Sequence, residues 1–528
     1  MMSLNRFASI DLGRLPRLVL LAFLAVCVAG CDRQTPPAKK LELWTLALSP
    51  YFDDYVTDLV AGFEAEHPGV EVVWVDVPFG ALNRKLVAAS AAGRGPDVVN
   101  LSDRDFARVA ALGGLAGIDR HLDASVTDDY LEGAKAVLRI NGQLRALPWY
   151  LTTSVRLVNR QMLGAGGLSA QGEAGPAVLA EDWAGLQEQA RAYHRATGKF
   201  LLSLPLGDGS ELPTMLLADG VVPFREVDGR LVADLTRPEV VARVGDWVRL
   251  YREGALPRSA ATRDHTAVIE LYQNGQIAVA QTGANMLRRV RDASPGVFGQ
   301  TAVLPPITGS LGRSHIAVMV VGVSSASEHP ALAAELAGWV TSPEHQTQLA
   351  KQSGVLPSTP ASLGDAYFAP PPAASEGGGV EVDRENGEGQ ALPGDTGERE
   401  AERLLAQARW LSAEALPDAV AFTPAIEAWP DLRRAFDEGI KAALLDGADV
   451  EATLAQINDD WDRVLRAARP ATMESLPRPT PRDQETPRSA DVGSGAAALA
   501  ASHGGGGGDP GGAVPGREMA VTGGEVDD

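Results

Sequence analysis

The sequence predicts an α/β protein of two large domains, each a mostly parallel sheet flanked by helices. Three observations carry this. The chain has 528 residues, more than one ordinary hydrophobic core organises. Its hydrophobic content of 45% is ample for two. Residues 41–101 then read strand, helix, strand, helix, strand, the order that builds parallel sheets.

Taken in order, the chain begins with a segment outside the fold. Arg6, Arg14 and Arg17 precede an almost purely apolar run at 18–29, the length of a signal-peptide core and short of the roughly 20 residues a membrane-spanning helix needs. Val28-Ala29-Gly30-Cys31 resembles the lipobox of bacterial lipoproteins. The resemblance implies a signal peptide at 1–30 and a diacylated Cys31 at the mature N-terminus, anchoring the protein on the outer face of the cell membrane. Cys27 would leave with the signal, so the mature chain would have no internal disulfide. Residues 31–40, polar and containing Pro36-Pro37, read as a tether.

Leu41-Glu42-Leu43-Trp44-Thr45 alternates as a strand does. Ser49-Pro50 then supplies an N-cap and a first-turn proline for a helix bearing Phe52, Tyr55, Val56, Leu59 and Phe63. His67-Pro68-Gly69 should stop it. A β-rich stretch at 70–77, a helix at 82–92 and a short apolar strand at 97–101 follow. Helices are predicted at 183–197 and 240–253, and strands at 277–281 and 316–323. Leu432, Phe436, Ile440 and Leu444 share one helical face, as do Leu454, Ile457, Trp461, Val464 and Leu465. Residues 370–400 and 470–528 are rich in Gly, Pro and acidic residues and read as a disordered insert and a disordered tail, too poor in apolar surface to offset ordering entropy.

Several phrases resemble the family 1 extracellular solute-binding proteins, the group that includes maltose-binding protein. They are Phe63-Glu64-Ala65-Glu66-His67-Pro68-Gly69-Val70, Gly93-Arg94-Gly95-Pro96-Asp97-Val98, Asn141-Gly142-Gln143 leading into Ala146-Leu147-Pro148, Tyr272-Gln273-Asn274-Gly275-Gln276-Ile277-Ala278, Leu304-Pro305-Pro306, and Ser342-Pro343-Glu344-His345-Gln346 followed by Gly354-Val355-Leu356-Pro357. Each is weak alone; six in order across 41–467 are specific. The resemblance implies a two-lobed periplasmic-binding-protein fold of type II with several hinge crossings. Crossings at Pro148, Pro305 and Pro357 give lobe one as 41–148 plus 306–357 and lobe two as 149–304 plus 358–467. The insert and the tail have no counterpart in the family.

A solute would sit between the lobes, near strand ends and crossings. Trp44 and Thr45 end the first strand, Asn100 and Ser102 the third, and Trp149-Tyr150 follows the first crossing. Gln281-Thr282-Gly283 ends a later strand, and Arg313 and His315 precede the return to lobe one. Aromatic rings beside short polar groups suit a sugar, which offers an apolar C–H face and a rim of hydroxyls. The alternatives are a core position for Trp44, hinge packing for Trp149-Tyr150, and turn chemistry for Asn100 and Ser102. For Gln281-Thr282-Gly283 the alternative is helix capping, and for Arg313 and His315 a solvated loop.

The expected function is therefore capture of a sugar or oligosaccharide and its delivery, by lobe closure, to the membrane permease of an ABC importer, with the binding protein a monomer. A phosphorylated polyol would need a convergent basic pair, for which Arg313 alone presents itself; a sensor's ligand-binding partner is the other binding role. The net charge of −21 argues against nucleic acid and against a basic membrane-binding surface. No Gly-x-Ser-x-Gly, His-Glu-x-x-His or Gly-x-x-x-x-Gly-Lys motif occurs, so no enzyme is expected and no catalytic residue. The eight histidines are scattered and Asp383-x-Glu385 with Gly387 is only a faint calcium-loop echo, so neither metal nor cofactor is expected.

Overall fold

The computed structural model describes residues 39–78, 81–91, 95–140, 142–170, 177–372, 394–424, 426–473 and 476–477. The expected signal peptide, Cys31, most of the tether and insert, and nearly all of the tail lie outside them.

The first three strands, β1 (Lys39–Leu46), β2 (Val70–Val77) and β3 (Val98–Ser102), pair in parallel in the order β2-β1-β3. The helix α1 (Asp53–Glu66) connects β1 to β2 and buries Tyr55, Val56, Leu59 and Phe63, the i, i+4, i+8 stripe of an amphipathic helix. It starts at Asp53 with no side-chain cap, so Ser49 does not cap it as expected. Strand β1 already includes Lys39, whose N–H reaches Gly69 O at 2.8 Å, two residues before the first strand residue expected. Helix α2 (Leu82–Ala91) returns the chain toward β3.

The strand that organises the molecule is β4 (Ala146–Asn159), 14 residues long. Four more strands complete the path: β5 (Phe200–Leu202), β6 (Ile277–Gly283), β7 (Thr301–Leu304) and β8 (Ile316–Val323), with the short β9 (Leu356–Pro357) added on β4. The sheet runs β2-β1-β3-β8-β4-β6-β5. Residues 146–153 of β4 pair antiparallel with β8, whereas residues 154–159 pair antiparallel with β6 and β7. One strand therefore serves two half-sheets, and the change of partner falls between Thr153 and Ser154.

Two main cores lie on either side of that point. One packs Leu41, Phe63, Val98, Trp149, Leu151, Val320, Leu356 and Phe368, together with Leu416 and Ala421. The other packs Val158, Trp183, Leu202, Trp247, Ile307, Trp429, Phe436 and Trp461. A smaller cluster of Val155, Tyr272, Ile277, Val303 and Leu405 covers the opposite side of β6 and β7. The expected crossing at Pro148 thus moves to 153/154, because β4 continues unbroken and Trp149 and Leu151 belong to the first core. Likewise Phe368 and residues 413–421 pack with the first core, so the expected third crossing near Pro357 falls too early.

Helix α3 (Asp103–Ala111) packs in the first core. Helices α4 (Trp183–Thr197), α5 (Leu212–Ala218) and α6 (Pro238–Arg252) pack in the second, α7 (Gly394–Glu414) places Leu405 and Ala408 in the smaller cluster and Ala413 in the first core, and α8 (Trp429–Leu445) and α9 (Val450–Ala467) return to the second. The first turn of α7 overlaps the expected insert. Residues at the start of the expected tail also pack: Leu231 N–H bonds Ala471 O at 2.8 Å, and Leu476 is 5% exposed in the second core. The Met473 N–H also reaches the Glu226 carboxylate at 3.1 Å, so this stretch lies against the β-ribbon at Phe224–Val227 and Arg230–Ala233.

Candidate functional site

A cavity of about 240 Å³ opens beside the partner change in β4. Thr153 and Ser154 form its floor, and both cores contribute walls. From the first side comes Arg104, in the first turn of α3, whose helix Ser102 caps by accepting the Asp105 N–H at 3.2 Å. From the second side come Trp183 at the start of α4, Glu211 just before α5, Thr214 and Met215 on α5, and Arg433 on α8. The crossing segment 306–315 closes the remaining edge with Gly309, Arg313 and His315.

These groups are held in place by second contacts. Asp437, one turn after Arg433 on α8, accepts the N–H groups of Gly209 and Ser210 at 3.0 and 3.2 Å, which fixes the loop carrying Glu211. Gln281 on β6 accepts the Ile307 N–H at 2.7 Å. Buried Arg156 of β4 donates to Pro305 O at 2.7 Å and Ala180 O at 2.6 Å, so the segments leading to Ile307 and to Trp183 are tied to the hinge strand. Gly309 lies so close to the Ala218 carbonyl that a Cβ there would collide with it.

His315 sits at the junction of the lobes. Thr153 Oγ1 donates to its carbonyl at 3.1 Å, and its Nδ1 accepts the Phe422 N–H at 3.2 Å. An Nδ1 that accepts carries no proton, so the neutral ring holds its hydrogen on Nε2. Burial first, and the charges of Arg104 and Arg433 after it, lower the imidazole pKa to about 4. Burial also raises the Glu211 carboxyl above its usual range, against the pull of Arg433. The cavity thus offers guanidinium and imidazole N–H donors, a carboxylate acceptor, threonine and serine hydroxyls, and part of the Trp183 indole: the complement of a small polyhydroxylated molecule.

Of the residues expected at the site, Gln281, Arg313 and His315 line this cavity. Arg313 also donates to Asp418 O at 3.3 Å. Thr282 and Gly283 are occupied as ladder partners of Val155 and Ser154. The others stand elsewhere. Trp44 is 4% exposed in the first core with the Lys85 ammonium 4.4 Å from its ring centroid. Thr45 accepts from Trp74 Nε1 and donates to Asp76, closing β1 on β2. Asn100 donates to Val320 O at 3.0 Å, joining β3 to β8, and Ser102 is a helix cap. Trp149 is 1% exposed and packs edge-on against Tyr150 at 5.3 Å, inside the first core. Trp44, Asn100 and Trp149 are taken up by the interior of the first core, whereas Thr153, four residues past Trp149 on β4, reaches the cavity. Arg104, Thr153, Ser154, Trp183, Glu211 and Arg433 carried no motif. Only Arg433 gave a signal, a charge set between the apolar positions Leu432 and Phe436 of an amphipathic helix. Among the described residues no group of three or more His, Cys, Asp or Glu is placed to hold a metal, and no helix is long and apolar enough to cross a membrane.

Comparison with known proteins agrees with this architecture. A solved "putative oligosaccharide periplasmic-binding protein" of Synechococcus sp. MITs9220 superposes with a TM-score of 0.68 at 31% identity, over 81% of this chain and 99% of that one. The sugar-binding protein MalE of Xanthomonas citri shares the two-lobed fold with a TM-score of 0.61 at 19% identity, over 81% of this chain and 98% of that one. An uncharacterised lipoprotein encoded in the oleD 5' region of Streptomyces antibioticus is 23% identical over 352 residues, 66% of this chain and 76% of that protein. The profile of bacterial extracellular solute-binding proteins matches residues 58–375, well over half of the chain, and the chain belongs to that family.

Proposed function

We propose that this protein is the lipid-anchored binding component of an ABC importer and that it captures a sugar in the cavity at the Thr153/Ser154 hinge. The observation that carries the reading is the position of that cavity. Arg104 reaches it from the first core and Trp183, Glu211 and Arg433 from the second, while the strand they flank belongs to both. A solute touching both walls is bound more tightly when the lobes close, and that differential affinity shifts the population toward the closed form a permease would recognise. Trp183, on the cavity wall, supplies apolar surface for a pyranose, and the surrounding donors and acceptors fit its hydroxyls. The description of the Synechococcus relative as an oligosaccharide periplasmic-binding protein supports the same class.

The lobes of this reading are 39–153 with 316–368 and 413–421, and 154–304 with 405–408 and 426–476. Anchoring through Cys31 on the outer face of the cell membrane is supported by the Streptomyces relative's being a lipoprotein. A Cys31→Ser chain should then leave the membrane fraction.

The test of the sugar reading is a melting series on purified protein against a sugar panel. A true ligand at about 100 times its dissociation constant should add about 2.7 kcal/mol of stability. Trp183→Ala should weaken that ligand about tenfold or more, with the unliganded melting point as the control for folding. A panel in which no sugar moves the transition overturns the reading.

A further inference from the structure

Arg104 and Arg433 approach the cavity from opposite lobes. Among the described residues no carboxylate stands within ion-pairing distance of either guanidinium. By contrast, Arg191, Arg263 and Arg291 have acidic partners at 2.6–3.1 Å, and buried Arg156 is completed by carbonyls. The nearby acids are otherwise engaged. Asp103 accepts the Arg104 backbone N–H and the Thr423 hydroxyl, both at 2.8 Å, and Asp437 holds the Gly209–Ser210 turn. Glu211 is the one carboxylate among the lining residues, and Arg313 on the same wall is engaged with Asp418 O. His315, between them, is uncharged. The positive charges near it, Arg104 and Arg433, depress its basicity further; burial first and then the Arg104 charge lower the Arg433 pKa in the same sense, against the pull of Asp437, Glu211 and Asp103.

We propose that the imported solute is an acidic sugar whose carboxylate or phosphate is clasped between Arg104 and Arg433. A planar guanidinium presents paired N–H groups that match such an anion, and two of them, one on each lobe, place the anion across the hinge. The arrangement also makes the anion the trigger. Without it, closure brings two like charges together; with it, the same movement completes two charge-assisted contacts. The inference rests on the cavity being the sugar site.

The test compares matched ligands by calorimetry on the purified protein: glucose with glucuronate and glucose 6-phosphate, and galactose with galacturonate. One acidic member should bind about 30-fold or more tightly than its neutral counterpart, the loss expected when a buried charged contact is missing. The carboxylate and phosphate arms identify which anion. Arg433→Gln and Arg104→Gln should each abolish the preference, with unliganded melting points near the parent's, while Arg434→Gln, on the outer face of α8, should keep it. A neutral sugar bound as well as its acidic partner, with affinity indifferent to Arg433→Gln, overturns the inference and leaves the sugar reading standing. Binding of no sugar of either kind removes both.

Discussion

His315 is neutral because its surroundings penalise the imidazolium, and this makes the residue a source of pH dependence. Its folded pKa of about 4 lies below the ordinary value of 6.5. Between those values the unfolded chain takes up a proton that the folded one refuses. The contribution is therefore fully present above pH 6.5 and is lost as pH falls toward 4, by up to about 3 kcal/mol. His315→Asn keeps an acceptor for the Phe422 N–H without titrating. Its unfolding free energy, measured by urea titration from pH 7 to 4, should fall less steeply than the parent's by about one proton; equal slopes would refute the assignment. The residue scale is also where the sequence was least legible. His315 and Arg313 were found because they sit before a recognisable strand. Trp149 was misplaced because an aromatic beside a family-like Leu-Pro phrase is indistinguishable, in one dimension, from an aromatic four residues short of the hinge. Arg104 and Glu211 were invisible because their significance depends on which charges are absent around them.

At the scale of elements, strong local signals translated directly. Asp182 caps α4 through the Gly185 N–H at 2.8 Å and Gly198 ends it with φ +67°, so both helix boundaries were written in residue types. The valine-rich strand at 316–323 was equally plain. The long strand β4 was not, because Pro148 stands inside it and proline argues against a central strand. The structure accommodates Pro148 at a shift of register, opposite Val320, where β4 carries Trp149 as an extra residue between the partners of Met319 and Val320. Beyond the hinge, Arg156 makes β4 the support of the cleft wall by holding Pro305 O and Ala180 O. Arg156→Leu leaves two interior carbonyls without their donor and should cost about 2–4 kcal/mol. Because residues 306–315 and Trp183 depend on that anchor, ligand affinity should fall with it, whereas Arg156→Lys should recover part of both. A leucine variant with unchanged melting point and affinity would show that the staple is dispensable.

At the scale of the whole molecule, the two main cores share the strand β4, and the cavity lies beside its change of partners at Thr153/Ser154. Composition and the family-like phrases foretold two lobes; they could not foretell that opposed arginines face each other across the hinge. If that repulsion biases the empty protein open, weakening it should let the lobes approach without ligand. Arg104→Gln is suited to the test, since its side chain is exposed and α3 is capped independently by Ser102. The unliganded variant should show a smaller radius of gyration by small-angle scattering than the unliganded parent. The parent should move toward the variant's value in about 1 M salt, where charges more than about 3 Å apart are screened. A ligand that must convert a mostly open population to a mostly closed one needs a preference for the closed form of about 10⁴. In the variant that requirement shrinks, but so does the anion's hold on the closed lobes. Arg104→Gln should therefore be more compact at rest and respond less to the acidic sugar. An equally open variant with a full ligand response would place the control of closure outside this pair of arginines.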